Sequence, residues 1–438
     1  MTPARVGGAL AGRSGRAAGS GWRWAELGLL ALAAGVGIAA GLPGAALPEG
    51  GLRLTALAPA LALVAAAFAI HVSLGWRRPG ADQRILPCIV LLMGLGLALS
   101  QRVAPALATR QWAWLMIGLA TLAVSTHLPY ELRVIQRYRY TWAILGIVLV
   151  GVTLVAGRSA VPGGPRLWLG AGGLTFQPSE VLRLLLVFFM AGYLEDKREI
   201  LSAASLKLGP LRLMPLPYLA PLAAMMGVSL ALLTAQRDLG AGLLLFVICL
   251  GMLYLVSGRS TYVLGGLALF VCAAWLLHHE IAVVQTRVAI WLDPWSDPSG
   301  AGYQIVQGLM AIAEGGVIGA GIGQGLPTSI PAVHTDFIYA ALAEETGLAG
   351  AAAVLMVYAT LFLAGFRVAV RASTPFRQML AAGLTLGLSV QTLIILGGVL
   401  RLIPLTGVTL PFLSHGGTSI VTSAVAMGLV LRIGDEPR

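Results

Sequence analysis

Residues 239–257 read LGAGLLLFVICLGMLYLVS. The stretch holds no charge and comes close to the ~20 apolar residues that a helix needs to cross a bilayer core. Gln236-Arg237-Asp238 stands directly before it and Arg259 just behind it. Working outward, similar apolar runs lie at 25–42, 54–75, 85–100, 111–128, 141–157, 180–194, 214–234, 261–277, 337–365, 378–400 and 416–432. The fold class is therefore all-α, a polytopic membrane bundle of about twelve helices. Composition agrees: 58% of the 438 residues are hydrophobic and 11% charged, where a soluble domain has roughly 25% charged. A soluble enzyme, a disordered chain and a disulfide scaffold are excluded. Cys88, Cys249 and Cys272 all fall inside apolar runs and read as packing residues.

The net charge of +11 in a membrane protein marks cytoplasmic loops rather than nucleic-acid binding. With the N-terminus inside and the runs alternating, Arg53, Arg102, Arg110, Arg158, Arg166, Arg237, Arg287 and Arg401 fall outside, and Arg183 lies within a run. Every other one of the 29 Lys and Arg falls inside. This imbalance predicts both termini in the cytoplasm. Residues 1–24 form a basic cytoplasmic tail, 25–80 a first pair of spans, and 433–438 a short cytoplasmic tail. The longest outer segment is 278–336. Within it Tyr303–Glu314 has helical periodicity, with Ile305, Val306, Leu309, Met310, Ile312 and Ala313 on one side. Such a helix either lies in the outer membrane interface or packs on the bundle.

Ionisable groups in or beside spans are costly, so each is a functional candidate. Four places carry them, all on the outer side. In Phe176-Gln177-Pro178-Ser179-Glu180, followed by Arg183, the Glu and Arg share a helix face. They form either an anchoring ion pair or a charged cavity wall. Asp238 is either an N-cap or a carboxylate at a cavity mouth, where desolvation raises its pKa towards that of a general base. His334-Thr335-Asp336 precedes Glu344 and Glu345. Either Thr335 or Asp336 is positioned to cap the tenth span. One glutamate is expected in the bundle core and the other against a neighbouring helix or polar pocket. Pro404 to Gly407 and Leu410 to Ser419, with Thr406, Ser414 and His415, interrupt the last apolar region, which needs protein or water to satisfy the backbone. A lone His such as His415 is more often structural. These features do not separate an enzyme from a transporter.

Taken together, these stretches resemble the SEDS family of RodA/FtsW-type membrane proteins. The matching segments are Gly163 to Trp168, Phe176 to Glu180, Gln236 to Gly240, Gly302-Tyr303-Gln304, His334 to Phe337, Glu344 to Leu348, and Pro404 to Ser419, in family order. The resemblance covers about 85–432 and implies a ten-helix core, so the two helices within 25–80 are an N-terminal addition. It implies a peptidoglycan glycosyltransferase, an inverting hexosyltransferase, that polymerises lipid II at the outer face of the cytoplasmic membrane during elongation or division. The implied partner is a class B penicillin-binding protein. Asp238 matches the family's essential aspartate and Glu180 its cavity glutamate. Arg183 stands where the family has lysine. It keeps the charge but cannot donate a proton at ordinary pH, which leaves it an electrostatic role. Arg237 replaces the usual proline, Ala332 or Val333 a glutamate, His415 a tyrosine, and an apolar residue near Ile395 an asparagine.

On this reading Asp238 deprotonates the acceptor hydroxyl. Gln177, Gln236, His334, Asp336, Glu344, Thr406 and Ser414 line the cavity with Glu180. Departing pyrophosphate needs positive charge from Arg183, Arg166 or a divalent cation, Mg or Mn, for which no ligand cluster is legible. The alternatives are a lipid-linked precursor flippase, whose site belongs near the midplane, and a non-catalytic membrane scaffold.

Overall fold

The computed structural model describes residues 23–45, 54–129, 132–159, 164–171, 174–198, 206–208, 211–213 and 216–435. Most of the expected 1–24 tail and half of the 433–438 tail lie outside the described residues, as does Gly163. The chain runs through α1 (Trp24–Ala45), α2 (Leu54–Arg77), α3 (Ile85–Val103), α4 (Pro105–Thr126), the short α5 (Arg133–Arg137) and α6 (Arg139–Ala156). An antiparallel hairpin follows, β1 (Leu169–Ala171) with β2 (Leu174–Phe176), in register Leu169 to Phe176. It leads into α7 (Pro178–Asp196), a second hairpin of β3 (Leu206–Leu208) and β4 (Leu211–Leu213), then α8 (Leu216–Ala235), α9 (Leu239–Ser257) and α10 (Ser260–Glu280). The last part holds α11 (Ala282–Leu292), α12 (Tyr303–Gly315), α13 (Ile338–Arg371), α14 (Pro375–Val399) and α15 (Gly417–Gly434). Each expected apolar run forms a long helix. Among the described residues, 10 helices are long and apolar enough to cross a membrane. The helices α4 and α7 have the length but carry polar groups, Arg110 and Gln111 in the first and Glu180, Arg183, Glu195 and Asp196 in the second.

Burial sorts the helices into a core and a rim. In the span of α14, 78% of residues are buried, against 11% in α10, whose Leu264, Leu267, Phe270 and Trp275 stay exposed. An apolar exposed face on such a helix suits lipid. The first helix α1 packs tightly on α3 because Gly37 meets Gly94, where a Cβ on either would press on the other's backbone.

Two features shape the outer end. The helix α12 packs on α13 through Gly308 against Phe337 and Gly315 against Ala343, with Ile305, Val306 and Ala311 buried and Met310 exposed. Of the two expectations, the bundle-packed helix is the one observed. The long α13 breaks at Gly347 (φ 66, ψ −170), a backbone state that a Cβ would oppose. The glycine-rich segment after α12 re-pairs the freed groups: Leu348 N–H donates to Gly316 O (2.9 Å) and Ala349 N–H to Val317 O (3.1 Å).

Candidate active site

The turn between α8 and α9 is built by backbone geometry. Arg237 sits in the left-handed region at φ 62. Its N–H donates to Thr234 O (2.9 Å), and Asp238 N–H donates to Leu233 O (2.9 Å). This pair of bonds is a Schellman helix end, with arginine where glycine is usual. A proline at 237 would lack the N–H and could not reach that φ, so the substitution noted in the sequence fits the turn seen here. The next residue, Asp238, begins α9 at once: its Oδ1 accepts from Ala241 N–H at 3.2 Å.

The other carboxylate oxygen faces a cavity. Asp238 Oδ2 accepts from Ser179 Oγ (3.0 Å) and Gln177 Nε2 (3.3 Å), both at the start of α7. The two expectations for Asp238, cap and cavity carboxylate, thus hold together in one side chain. Burial pushes its pKa up, while the Ala241 N–H, the Ser179 and Gln177 donors and the Arg287 charge pull it down; burial prevails. Pro178 sits in the first turn of α7, where its missing N–H costs nothing. Gln177 is fixed by its own N–H, which donates to Thr418 Oγ1 at 2.9 Å.

Deeper in, Arg183 is two-armed. Nη2 pairs with Glu180 Oε2 at 2.9 Å, and Nη1 donates to Gln391 Oε1 of α14. Gln391 in turn donates to Thr409 O (2.8 Å) and to Ser419 Oγ (3.3 Å). Arg183 therefore does more than supply charge. Its planar fork links α7 to α14, a geometry that lysine does not offer. The free volume enclosed by Asp238, Glu180, Arg183 and Thr409 is about 30 Å³. That is room for one or two waters, so the site is seen closed to a sugar.

A second carboxylate flanks the 405–409 turn. Asp336 lies near Gly407, and burial raises its pKa to about 6 against the Thr335 hydroxyl and the Arg287 charge. Arg287, from α11, donates Nη1 to Leu405 O (3.2 Å) and Thr406 O (3.4 Å), and its charge bears on both Asp238 and Asp336. Ser414 ties this region together: Oγ donates to Thr335 O (2.6 Å) and accepts from Leu410 N–H (3.0 Å). His415 N–H donates to His334 O (2.8 Å), and the two rings meet edge to face at 5.7 Å. Burial, His334 and Arg110 hold His415 down to about 4, so it is neutral at pH 7. The Thr406 hydroxyl is buried with no partner among the described residues.

Several sequence candidates lie elsewhere. Gln236 is buried on the far side of its turn and donates to Val150 O (2.7 Å) and Thr153 Oγ1, a tie to α6. Neither Thr335 nor Asp336 caps α13, whose N-cap Phe337 has no side-chain cap. Glu344 accepts from Leu326 N–H (2.6 Å) and Glu345 pairs with Arg102 of α3 (2.5 Å). Both hold the glycine-rich segment, away from Asp238. Arg166 is exposed on the loop before β1 and does not line the cavity. Two residues join the site that the sequence reading passed over, Gln391 and Arg287. Gln391 lies one turn from Ile395 and supplies the polar group that α14 was expected to lack. Among the described residues no three His, Cys, Asp or Glu converge on one point. A divalent cation would find two carboxylates here, Asp238 and the Glu180 that Arg183 already pairs with, which suits an ion held mostly by substrate phosphate and water.

Comparisons with known proteins place this geometry. A family described as cell cycle proteins, which joins FtsW, RodA and SpoVE, matches residues 83–438. Peptidoglycan glycosyltransferase RodA of Mycobacterium tuberculosis (strain ATCC 25618 / H37Rv) is 36% identical over 428 residues, covering 95% of this chain and 91% of its own. The match thus reaches well into the first two helices. A probable peptidoglycan glycosyltransferase FtsW of Geobacter metallireducens is 31% identical over 328 residues, 74% of this chain and 84% of its own. Among solved structures, a chain of a peptidoglycan synthase complex that coordinates polymerization and crosslinking superposes with TM-score 0.68 at 28% identity. That overlap covers 81% of this chain and 97% of the other. The rod shape determining protein RodA of Thermus thermophilus superposes with TM-score 0.59 at 24% identity over 81% of this chain and 96% of its own, a likeness of fold.

Proposed function

Because the chain belongs to the FtsW/RodA/SpoVE family of cell cycle proteins, we propose that it polymerises lipid II as a peptidoglycan glycosyltransferase. It is a multi-pass membrane glycosyltransferase of cell wall synthesis. The observation that carries the reading is Asp238, a desolvated carboxylate held by two side-chain donors in a cavity at one end of the bundle.

In the reaction, Asp238 takes the proton of the acceptor sugar's 4-hydroxyl, a step worth roughly 10²–10⁴ in rate. The freed oxygen attacks the donor's anomeric carbon, the bond to pyrophosphate breaks, and the configuration inverts. Arg183 lines the same cavity as Asp238 and the Arg287 charge bears on it, and both would offset the charge that builds on the leaving group. A divalent cation, Mg or Mn, would be held jointly by Asp238 and the substrate's phosphates and would supply further charge neutralisation. The narrow cavity must widen for a sugar, and the 405–409 turn is the wall that Arg287 alone grips from α11 among the hydrogen bonds described above.

The chain's place is the cytoplasmic membrane, with both termini inside and Asp238 outside. Arg23 donates to Ala81 O (2.8 Å) and Asp435 accepts from Gly80 N–H (2.9 Å), so both described ends meet the same loop. The positive-inside rule then makes that face cytoplasmic. The partner is a class B penicillin-binding protein that crosslinks the product.

The test is polymerisation of labelled lipid II by the purified protein with its partner, read as glycan ladders on a gel. Asp238→Asn is expected to abolish the ladders; unchanged ladders would remove Asp238 from the mechanism. Movement of lipid II across a liposome bilayer without polymer would favour a precursor flippase instead.

A further inference from the structure

At the opposite end of the bundle from Asp238, α2 and α4 leave a groove of about 440 Å³, the size of a small-molecule site. Its walls are apolar over most of their length, with Ile70 and Val72 on α2 facing Ala123 on α4. Its end is polar: Ser73 Oγ and His127 Nε2 meet at 2.8 Å, and Arg77 stands at the rim. Trp76 beside it is 78% exposed, a position that suits an indole at a membrane–water boundary.

Arginine outnumbers carboxylate at this end: Arg23, Arg77, Arg78, Arg84 and Arg432 stand with Glu26, Asp82 and Asp435. Arg77 lines the groove together with His127, and Arg78 and Arg432 stand at the same end of the bundle. The carboxylates here have partners of their own: Asp435 pairs with Arg78 at 3.3 Å, Glu26 with Arg23 and His71, and Asp82 accepts from Arg84 N–H at 2.9 Å. Arg432 is turned to Leu128 O (2.8 Å). The Arg77 side chain makes no hydrogen bond or ion pair among the described residues. A long apolar slot between two membrane-spanning helices, ending in an excess of arginine, has the form of a headgroup pocket.

We propose that this groove binds an anionic phospholipid, with an acyl chain along Ile70, Val72 and Ala123 and the phosphate at Arg77. The neighbour on this side of the two helices is the bilayer, which supplies both the chain and the charge. Under the orientation proposed above the lipid belongs to the cytoplasmic leaflet. Binding itself requires only that α2 and α4 span the membrane. An arginine near the surface contributes about 1 kcal/mol to anionic lipid binding, equivalent to about fivefold in affinity.

The test is native mass spectrometry of the full-length protein in detergent, titrated in parallel with phosphatidylglycerol and phosphatidylcholine. Each variant is first checked for a monodisperse peak and an unchanged melting temperature. The wild type is expected to retain phosphatidylglycerol over phosphatidylcholine. Arg77→Gln should weaken phosphatidylglycerol about fivefold and leave phosphatidylcholine unmoved. Val72→Trp, which fills the slot, should weaken both. Arg137→Gln, an exposed arginine outside the groove, should change neither. Equal headgroup preference in the wild type and Arg77→Gln would overturn the proposal. So would a loss in Arg137→Gln as large as in Arg77→Gln, or full competition by short-chain glycerol phosphate. The measurement involves no turnover, so failure here leaves the polymerase reading standing, and the reverse.

Discussion

Replacing Ser179 by Ala removes the hydroxyl that lies 3.0 Å from Asp238 Oδ2. A hydrogen bond to a charged group is worth about 1.5–3 kcal/mol, and a pKa unit is about 1.36 kcal/mol. The loss alone would raise the Asp238 pKa by about 1–2 units, on top of the rise that burial already causes. Gln177 recovers part of this. Its amide divides itself between Ser179 Oγ (3.0 Å) and Asp238 Oδ2 (3.3 Å), and without the hydroxyl it serves the carboxylate alone. The expected net rise is about 1 unit. A general base works only when unprotonated, so the acidic limb of the polymerisation rate should move to higher pH by about that much. At pH well above the limb the rate should return to within about threefold of the wild type. Ser179→Thr keeps the hydroxyl and should leave the limb in place. The assay is the initial rate of lipid II consumption across pH. A limb that stays put or moves down, or a loss of equal size at every pH, would refute the role assigned to this contact.

Arg183→Met leaves Glu180 buried without its partner, and a broken buried pair costs about 3–5 kcal/mol; Arg183→Lys keeps charge but cannot reach both Glu180 and Gln391. Melting in detergent should rank wild type above Lys above Met, and a Lys variant as stable and active as wild type would contradict the two-armed role. Arg237→Gly relieves a left-handed strain of about 1–2 kcal/mol against a backbone-entropy loss of about 0.5–1 kcal/mol. It should therefore be neutral or slightly stabilising in a thermal melt, whereas Arg237→Pro should cost about 3 kcal/mol or more. Asp336 and His415 pull pH stability in opposite directions. The folded pKa of Asp336 is raised to about 6, so its contribution is present below the ordinary carboxylate range and lost as pH rises through about 6. His415 is lowered to about 4, so its contribution is present above the ordinary imidazole range and lost as pH falls through about 4. Melting temperatures from pH 4 to 7 should therefore climb more steeply with pH in Asp336→Asn than in the wild type.

The helices were legible because hydrophobic runs obey bilayer thickness, and each expected run from α1 to α15 is a helix. The hairpin β1–β2 was not, since three-residue strands leave no periodicity to read. Asp238 stood out because a carboxylate beside an uncharged span demands a reason. Gln236 shared its motif but not its cavity: the left-handed turn at Arg237 sends the two side chains apart, one to α6 and the other to α7. Glu344 and Glu345 were correctly flagged as needing partners. Their partners, Leu326 N–H and Arg102, depend on a loop path and a helix packing that spacing alone does not give. Gln391 carries no charge to mark it, yet a carboxamide inside a long apolar run is itself a signal. Arg287 had been counted only for topology. A lone guanidinium in the short apolar α11 was the cue.

Asp238 fastens the first turn of α9 with the same carboxyl group that the proposed mechanism makes the proton acceptor. A protonated carboxyl is a weaker acceptor for Ala241 N–H, and a lost cap costs a helix about 0.5–2 kcal/mol. On the proposed mechanism, the turn that positions the base is therefore also the turn whose stability depends on whether that base carries a proton.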